Sequence, residues 1–303
     1  MDNLAHIKTI SDNISTARDC VIIGNYIYIA DSDVGIVKLH IYDNNDVDSV
    51  AISGVWGIES WYDNIIVLAG TELLFYSLDL RLRGSLSLIP TYGYRGMQRH
   101  QDTLYIASYT TGAGITTVDL NQRVVNHTNL GDTLQDVSVN ANRSLIATAT
   151  FGSNIIIYNA AYQSVKSIPL VGQYSNAVRF QDNDVLYAGI YAVADGLNTI
   201  AAYDPISGDA LASVTTLDNK YISTMYGITI HDGALFVSAG AMIYIVAPYL
   251  PSRTTTTTSS LGIMDGKTSL RVGGGGTAIV DGGATKTTTK ILSTSNKYLM
   301  GKL

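Results

Sequence analysis

The chain has 303 residues and a formal net charge of −6, with 46% hydrophobic and 15% charged residues. Low charge combined with 28 Gly and 20 Tyr suits an all-β protein rich in tight turns. The single cysteine, Cys20, excludes an internal disulfide and any Cys-based zinc site, and the opening MDNLAHIKTISDN carries no charged-then-apolar leader, which fits cytoplasmic synthesis.

The first expected element is LAHIKTI at residues 4–10, a short alternating strand. A repeat follows it. Apolar β-rich runs start at 26 (YIYIA), 65 (IIVLA), 104 (LYIAS), 145 (LIATA), 186 (LYAGI) and 235 (LFVSA), in steps of 39, 39, 41, 41 and 49 residues. Each run has a strand before it (CVII, IESWY, MQRH, VSVN, AVRF, ITIH) and a polar turn between the two, such as Gly24-Asn25, Asp63-Asn64 or Asp102-Thr103. Asn, Asp and Gly tolerate the left-handed backbone that hairpins need. A third strand follows each run: 35–43, 73–79, 114–120, 154–159, 199–204 and 242–247. A fourth, more polar strand completes the first five repeats (VDSVAIS, GSLSLI, VVNHTNL, SVKSIPL, ALASVTTL).

A period near 40 residues built only of strands is the pattern of a β-propeller blade. The expected fold is therefore all-β: a six-bladed β-propeller over residues 1–250 with a C-terminal extended arm over 251–303. The sixth repeat lacks its outer strand, and residues 4–10 have the length and alternation to supply it. The N-terminal strand is expected to close the ring, which also removes an exposed sheet edge. The wide last step is expected to add loop at 191–198 and 218–225. The uncharged stretch 233–250 reads as two strands of the sixth repeat rather than a membrane span, because it falls in phase with the other repeats.

Residues 26–43, YIYIADSDVGIVKLHIYD, resemble the repeat of LVIVD-type and related NHL/YVTN-type propellers, which read hydrophobic strand, Ala-Asp, turn, Gly, hydrophobic strand, Asp. Later repeats keep the hydrophobic pattern and lose the Ala-Asp step. The resemblance implies a propeller and ligand or protein binding, and it carries over no catalytic residue.

After Pro251 the composition changes. Five Lys and two Arg against two Asp give residues 251–303 a net charge of +5, leaving −11 on residues 1–250. A basic, Thr/Gly-rich arm beside an acidic ring can dock on another copy of that ring or on another acidic partner. TSLRV (268–272), TAIV (277–280) and KILST (290–294) have strand propensity that a plain linker does not need. Seven scattered cations without an arginine cluster argue against nucleic acid.

Motifs for chemistry are sparse. There is no G-x-S-x-G, HExxH, P-loop or complete G-x-G-x-x-G, and no cofactor is implied. The histidines His6, His40, His100, His127 and His231 lie far apart, and a satisfied or solvent-facing role is expected for them. Asp31 and Asp33, and Asp43, Asp46 and Asp48, supply clustered oxygens of the kind calcium takes, without EF-hand spacing and where turns are expected anyway.

Loop position gives the strongest site expectation. Loops entering the innermost strands share one face with loops joining second and third strands. The former carry Arg18, Trp56, Tyr92, Tyr94, Arg95, Tyr174, Tyr221 and Tyr226; the latter carry Tyr109, Phe151 and Tyr191. Trp, Tyr and Arg enrich interface hot spots, and flat rings suit sugars; equally, such rings can pack between blades. Gly57, Gly96 and Gly227, each eight residues before its anchor run, allow strands to crowd at the axis. Two functions are carried forward. One is a non-catalytic structural propeller of a larger assembly, such as a viral or phage particle, with protein partners that include copies of itself through 251–303. The other is a carbohydrate-binding adhesin or glycan-active enzyme, for which Asp19, Glu59 and Asp136 are the candidate axial carboxylates.

Overall fold

A computed structural model describes residues 4–110, 112–217 and 220–249, the side chains of Asn44 and Lys220 excepted, and the backbone of four short strands beyond them. Among the described residues every regular element is a strand. No helix is long and apolar enough to cross a membrane.

Six four-stranded antiparallel sheets form a six-bladed propeller. Blade 1 runs, from axis to rim, Ala17–Ile23, Tyr26–Asp31, Gly35–His40 and Asp43–Ala51. Blade 2 is Val55–Trp61, Asn64–Ala69, Glu72–Ser77 and Leu82–Ser87; blade 3 is Tyr94–His100, Thr103–Ser108, Gly114–Asp119 and Val124–Asn129. Blade 4 is Leu134–Val139, Leu145–Thr150, Asn154–Asn159 and Ser164–Pro169; blade 5 is Gln173–Gln181, Val185–Ala192, Asn198–Tyr203 and Ala210–Val214. Pro169 is tolerated because it ends an outer strand, where no further ladder needs its missing N–H.

Blade 6 takes three strands from the sixth repeat, Met225–His231, Ala234–Ala239 and Met242–Ala247, and its outer strand from Ala5–Ile10. The pairing runs from Ala5 opposite Ala247 to Ile10 opposite Ile243. The N-terminus thus closes the ring, as its alternation predicts, and the stretch 233–250 is two strands.

The core explains why the second and third strands read as continuously apolar. Six hydrophobic clusters lie between successive blades. In the second strand of blade 1, Ile27 and Ile29 pack toward blade 6, while Tyr28 and Ala30 pack toward blade 2. Both faces of such a strand are covered, so alternation disappears. Outer strands keep one wet face: Leu82–Ser87 alternates exposed and half-buried residues.

The hairpin after each inner strand turns on a left-handed residue: Gly24, Tyr62, Gln101, Arg143, Asp182 and Asp232, with φ between 46° and 59°. At Tyr62 and Gln101 this is one residue before the polar pairs expected from sequence. The neighbouring ladder sets the register there, and Tyr62 is held by its hydroxyl donating to Asp102 at 3.3 Å. The extra length of the last step partly extends a strand, eight residues in Val185–Ala192, and partly forms the loop 193–197 before Asn198–Tyr203, within the expected 191–198. A small hairpin, Thr216–Leu217 with Lys220–Tyr221, takes up the rest, and its tip at 218–219 lies outside the described residues.

The chain divides into two units, the ring and a second that spans Leu250–Leu303. The described parts of the second are Thr268–Val272 paired with Gly276–Val280, and Thr254–Thr255 paired with Lys290–Ile291. Strand propensity at 268–272, 277–280 and 290–291 is thus matched by strands; the remainder of the arm lies outside the described residues.

Candidate functional site

The same irregularity occurs in all six inner strands. In blade 1, Ala17 pairs with Asp31 and Asp19 with Ala30, so Arg18 has no partner of its own. Trp56, Gln135, Asn176 and Tyr226 are left over in the same way in blades 2, 4, 5 and 6. In blade 3, Arg95 and Gly96 share the interval opposite Ala107. A β-bulge bends its strand and re-aims the extra side chain. Here the extra residues, one per blade, line a single pocket: Arg18, Trp56, Arg95, Gln135, Asn176 and Tyr226, with Gly96. A pocket that takes one wall from each of six blades lies on the ring axis.

The pocket is small, with room of about 10 Å³. Two arginines and two aromatics line it. The Arg18 guanidinium lies 4.0 Å from the Tyr226 ring centre and 4.5 Å from that of Trp56. Arg95 lies 4.8 Å from the Trp56 ring centre and 3.8 Å from that of Tyr109. Arg95 Nη1 also donates to Gln135 Oε1 at 2.5 Å. From Tyr109 the rings continue outward: Phe151 meets it edge-on at 6.4 Å and stacks on Tyr174 at 5.4 Å, and Tyr191 follows at 5.0 Å. Eight of the eleven residues expected from loop position therefore form one connected chain from Tyr226 to Tyr191. Phe151 keeps 54% of its surface exposed.

Three of the eleven do not join it. Tyr94 sits just before the bulge, opposite Ser108, where its ring turns into the core between blades 2 and 3 and its hydroxyl donates to the Ile89 carbonyl at 3.1 Å. Tyr92 stacks on His127 at 4.0 Å. Tyr221 stands on the small hairpin with 67% of its surface exposed. Gln135 and Asn176, which do line the mouth, escape a search for aromatics. The available signal is their place before Asp136 and Ala177, matching Trp56, Arg95 and Tyr226 before their glycines.

Those second residues form the next layer. The Cα hydrogens of Gly96 and Gly227 face the aspartates of the following blades: a Cβ at Gly96 would overlap the Asp136 carboxylate, and one at Gly227 would lie 2.9 Å from Asp19 Oδ1. Each aspartate staples two blades. Asp19 accepts from Cys20 N at 2.8 Å and from Ile58 N of blade 2 at 3.2 Å. Asp136 accepts from Val137 N and from Val178 N of blade 5, both at 2.9 Å. One layer deeper, Arg179 Nη1 lies 3.5 Å from Glu59 Oε1 and its Nε donates to the Ile228 carbonyl of blade 6 at 2.6 Å. Glu59 also accepts from the Arg99 amide.

Burial raises the pKa of all three acids, against the pull of Arg179: Asp19 well above the usual range, Glu59 upward, Asp136 to about 7. Burial of Arg179 works against its charge, but Glu59, Asp19 and Asp136 outweigh it. Arg179 is the residue that sequence reading missed. At the other end of the axis a cavity of about 260 Å³ is lined by Glu59, Gln98, Arg99, Arg179, Thr229 and His231, among others.

The acidic runs have local explanations. Asp31, fully buried, accepts four backbone amides, from Ser15, Thr16, Asp33 and Val34. Asp33 takes the hydroxyls of Ser15 and Thr16, Asp46 that of Tyr26, and Asp43 and Asp48 take nearby amides. Among the described residues no three His, Cys, Asp or Glu converge as metal ligands. His127 is satisfied by Thr116 at 2.9 Å and by the Gly112 carbonyl at 2.8 Å.

No family model matches the chain and no curated protein matches it. What the structure bears out of the resemblance of residues 26–43 is the six-bladed propeller architecture.

Proposed function

We propose that this chain is a non-catalytic binding propeller of a larger ordered assembly, and that it meets its partner through the axial mouth and the aromatic arc beside it. The observation that carries this is the connected run Tyr226–Arg18–Trp56–Arg95–Tyr109–Phe151–Tyr174–Tyr191, whose first four members stand at inner-strand bulges and whose Phe151 ring is exposed. Arg, Trp and Tyr in this density are the chemistry of interface hot spots.

The charge division supports the assembly part of the proposal. An arm of +5 and a ring of −11 attract between copies, and a particle of repeated subunits, such as a virion or phage, uses that geometry. The axial acids support the non-catalytic part. Glycan cleavage needs two carboxylates facing a sugar, whereas Asp19 and Asp136 are occupied by backbone amides and Glu59 by Arg99 and Arg179. Carbohydrate binding is the second reading, favoured by the exposed face of Phe151 against Tyr174.

Light scattering on the full chain and on a chain cut after residue 250 tests the first reading. Self-association of the full chain, lost on truncation and weakened by Trp56→Ala, is the expected result. Two monomers under all conditions refute it. Specific glycan-array binding that Trp56→Ala abolishes, without self-association, favours the second reading.

A further inference from the structure

The axial mouth holds a charge imbalance that the ring itself does not settle. Among the described residues neither Arg18 nor Arg95 has a carboxylate within ion-pair distance, since the two ion pairs are Arg179–Glu59 and His231–Asp232. The nearest acids are otherwise engaged. Asp33, which feels Arg18 from a distance, accepts two hydroxyls, and Asp19 and Asp136 one layer below accept backbone amides. Arg95 is pushed below its ordinary pKa by burial and by the charge of Arg18, offset only by neighbouring tyrosines. Two cations are thus held close together, facing rings rather than anions.

Two polar atoms at the same place are buried with no partner: Arg18 Nε and Gln135 Nε2. Gln135 is 4% exposed, its Oε1 is used by Arg95, and its amide nitrogen is left over in the pocket lining. A buried donor without an acceptor is costly, so a site with two of them beside two guanidinium groups that face no carboxylate favours an incoming acceptor of negative charge. One planar anion offers two oxygens to donors gathered in one pocket, and guanidinium forks match carboxylate geometry. The room present, about 10 Å³, is that of one water-sized sphere, so an anion enters as the guanidinium groups move aside, and a planar carboxylate asks for less movement than a bulkier, doubly charged phosphate. The aromatic arc that leads away from it suits an apolar stem and its neighbours.

We propose that the axial mouth is a carboxylate-binding site, entered by an acidic side chain of the protein partner while residues flanking it cover the Tyr109–Tyr191 arc. This rests on the binding-face reading above and names the chemistry of the partner. Both guanidinium groups lie against the Trp56 ring, at 4.5 and 4.8 Å from its centre, so a carboxylate that draws them away changes the surroundings of the indole.

Calorimetry and Trp fluorescence on the full chain test it, with N-acetylglutamate N-methylamide as probe, the glutamine analogue as neutral control and glucuronate as the sugar-borne acid. The expected result is saturable binding of the glutamate probe with a preference of about tenfold or more over the glutamine analogue. Binding is expected to fall at least as much in Arg95→Met and in Gln135→Leu, and less in Arg95→Lys, which keeps the charge and loses the fork. Should the methionine variant fold poorly, perturbation of the Arg95 and Gln135 side-chain nitrogen resonances in the unaltered protein reads the same event. Equal binding of both probes, or no binding of either, overturns the carboxylate site. Glucuronate binding tighter than the glutamate probe overturns the protein source. If no carboxylate binds while Trp56→Ala still weakens self-association, this proposal fails and the binding face stands.

Discussion

Raising the pH from 5 to 8 should destabilise the ring, and Asp136 should carry a definable share. Its carboxyl is 3% exposed and is raised by burial from an ordinary 3.8 to about 7. Between those values the folded state holds a proton that the unfolded state has released. Stability contributed by Asp136 is therefore full below pH 4, declines as pH rises, and is gone above about 7. At 1.36 kcal/mol per pH unit the whole span is worth ~4 kcal/mol, of which ~3 kcal/mol falls between pH 5 and 7. Asp19 and Glu59 add in the same direction. Asp33 and Asp102 are lowered by hydrogen bonds, so their contributions change only at acid pH below this window. His100, lowered by burial, works the opposite way below its ordinary 6.5 and is common to variant and parent. Asp136→Asn tests the share. Its amide keeps one of the two backbone bonds and presents a donor to the other N–H, a pH-independent cost of ~1–3 kcal/mol. Reversible urea unfolding at pH 5 and 8 should show the parent weaker at pH 8, and the variant with a pH dependence flatter by ~3 kcal/mol. A parent no weaker at pH 8, or a variant with the parent's full slope, refutes the reasoning.

Gly96→Ala should cost ~3 kcal/mol or more by urea unfolding, since its Cβ would overlap the Asp136 carboxylate and lie 2.9 Å from Asp136 Cα. Gly84→Ala, with nothing within 4 Å of the new Cβ, should stay within ~0.5 kcal/mol. Deleting residues 1–12 removes the outer strand of blade 6 and the burial of Leu4 and Ile10. The two side chains alone are worth ~3–6 kcal/mol, so the truncated chain should melt earlier and scatter light as it does; melting like the intact chain refutes ring closure by the N-terminus.

The architecture was legible because each blade repeats a local pattern whose consequences are local. Residues 26–30 show no alternation because both faces are covered, and residues 4–10 mix exposed with buried positions, around a register shift at Ile7, because one face is not. The turns were legible to within a residue: the ladder moves the left-handed position to Tyr62 and Gln101, a register effect that no single turn encodes. At the mouth, Trp56, Arg95 and Tyr226 stood out beside their glycines, whereas Gln135 and Asn176 did not, since their role comes from strand position rather than residue type. Tyr94 and Arg95 are adjacent in sequence yet part ways, one into the core and one to the axis, because the bulge falls after the first of them. The Arg179–Glu59 pair was the hardest to see. Its members are on blades 5 and 2, and only the closed ring brings them within 3.5 Å.

The six bulges also separate two demands that a strand usually meets with the same residue. Arg18, Trp56, Gln135, Asn176 and Tyr226 stand outside the one-to-one pairing of their strands, and Arg95 shares its interval with Gly96. Their side chains can be exchanged with little consequence for sheet register. The mouth is in effect six touching positions on a fixed frame, so its chemistry can be rewritten as a group while the strand pairing beneath it stays in place.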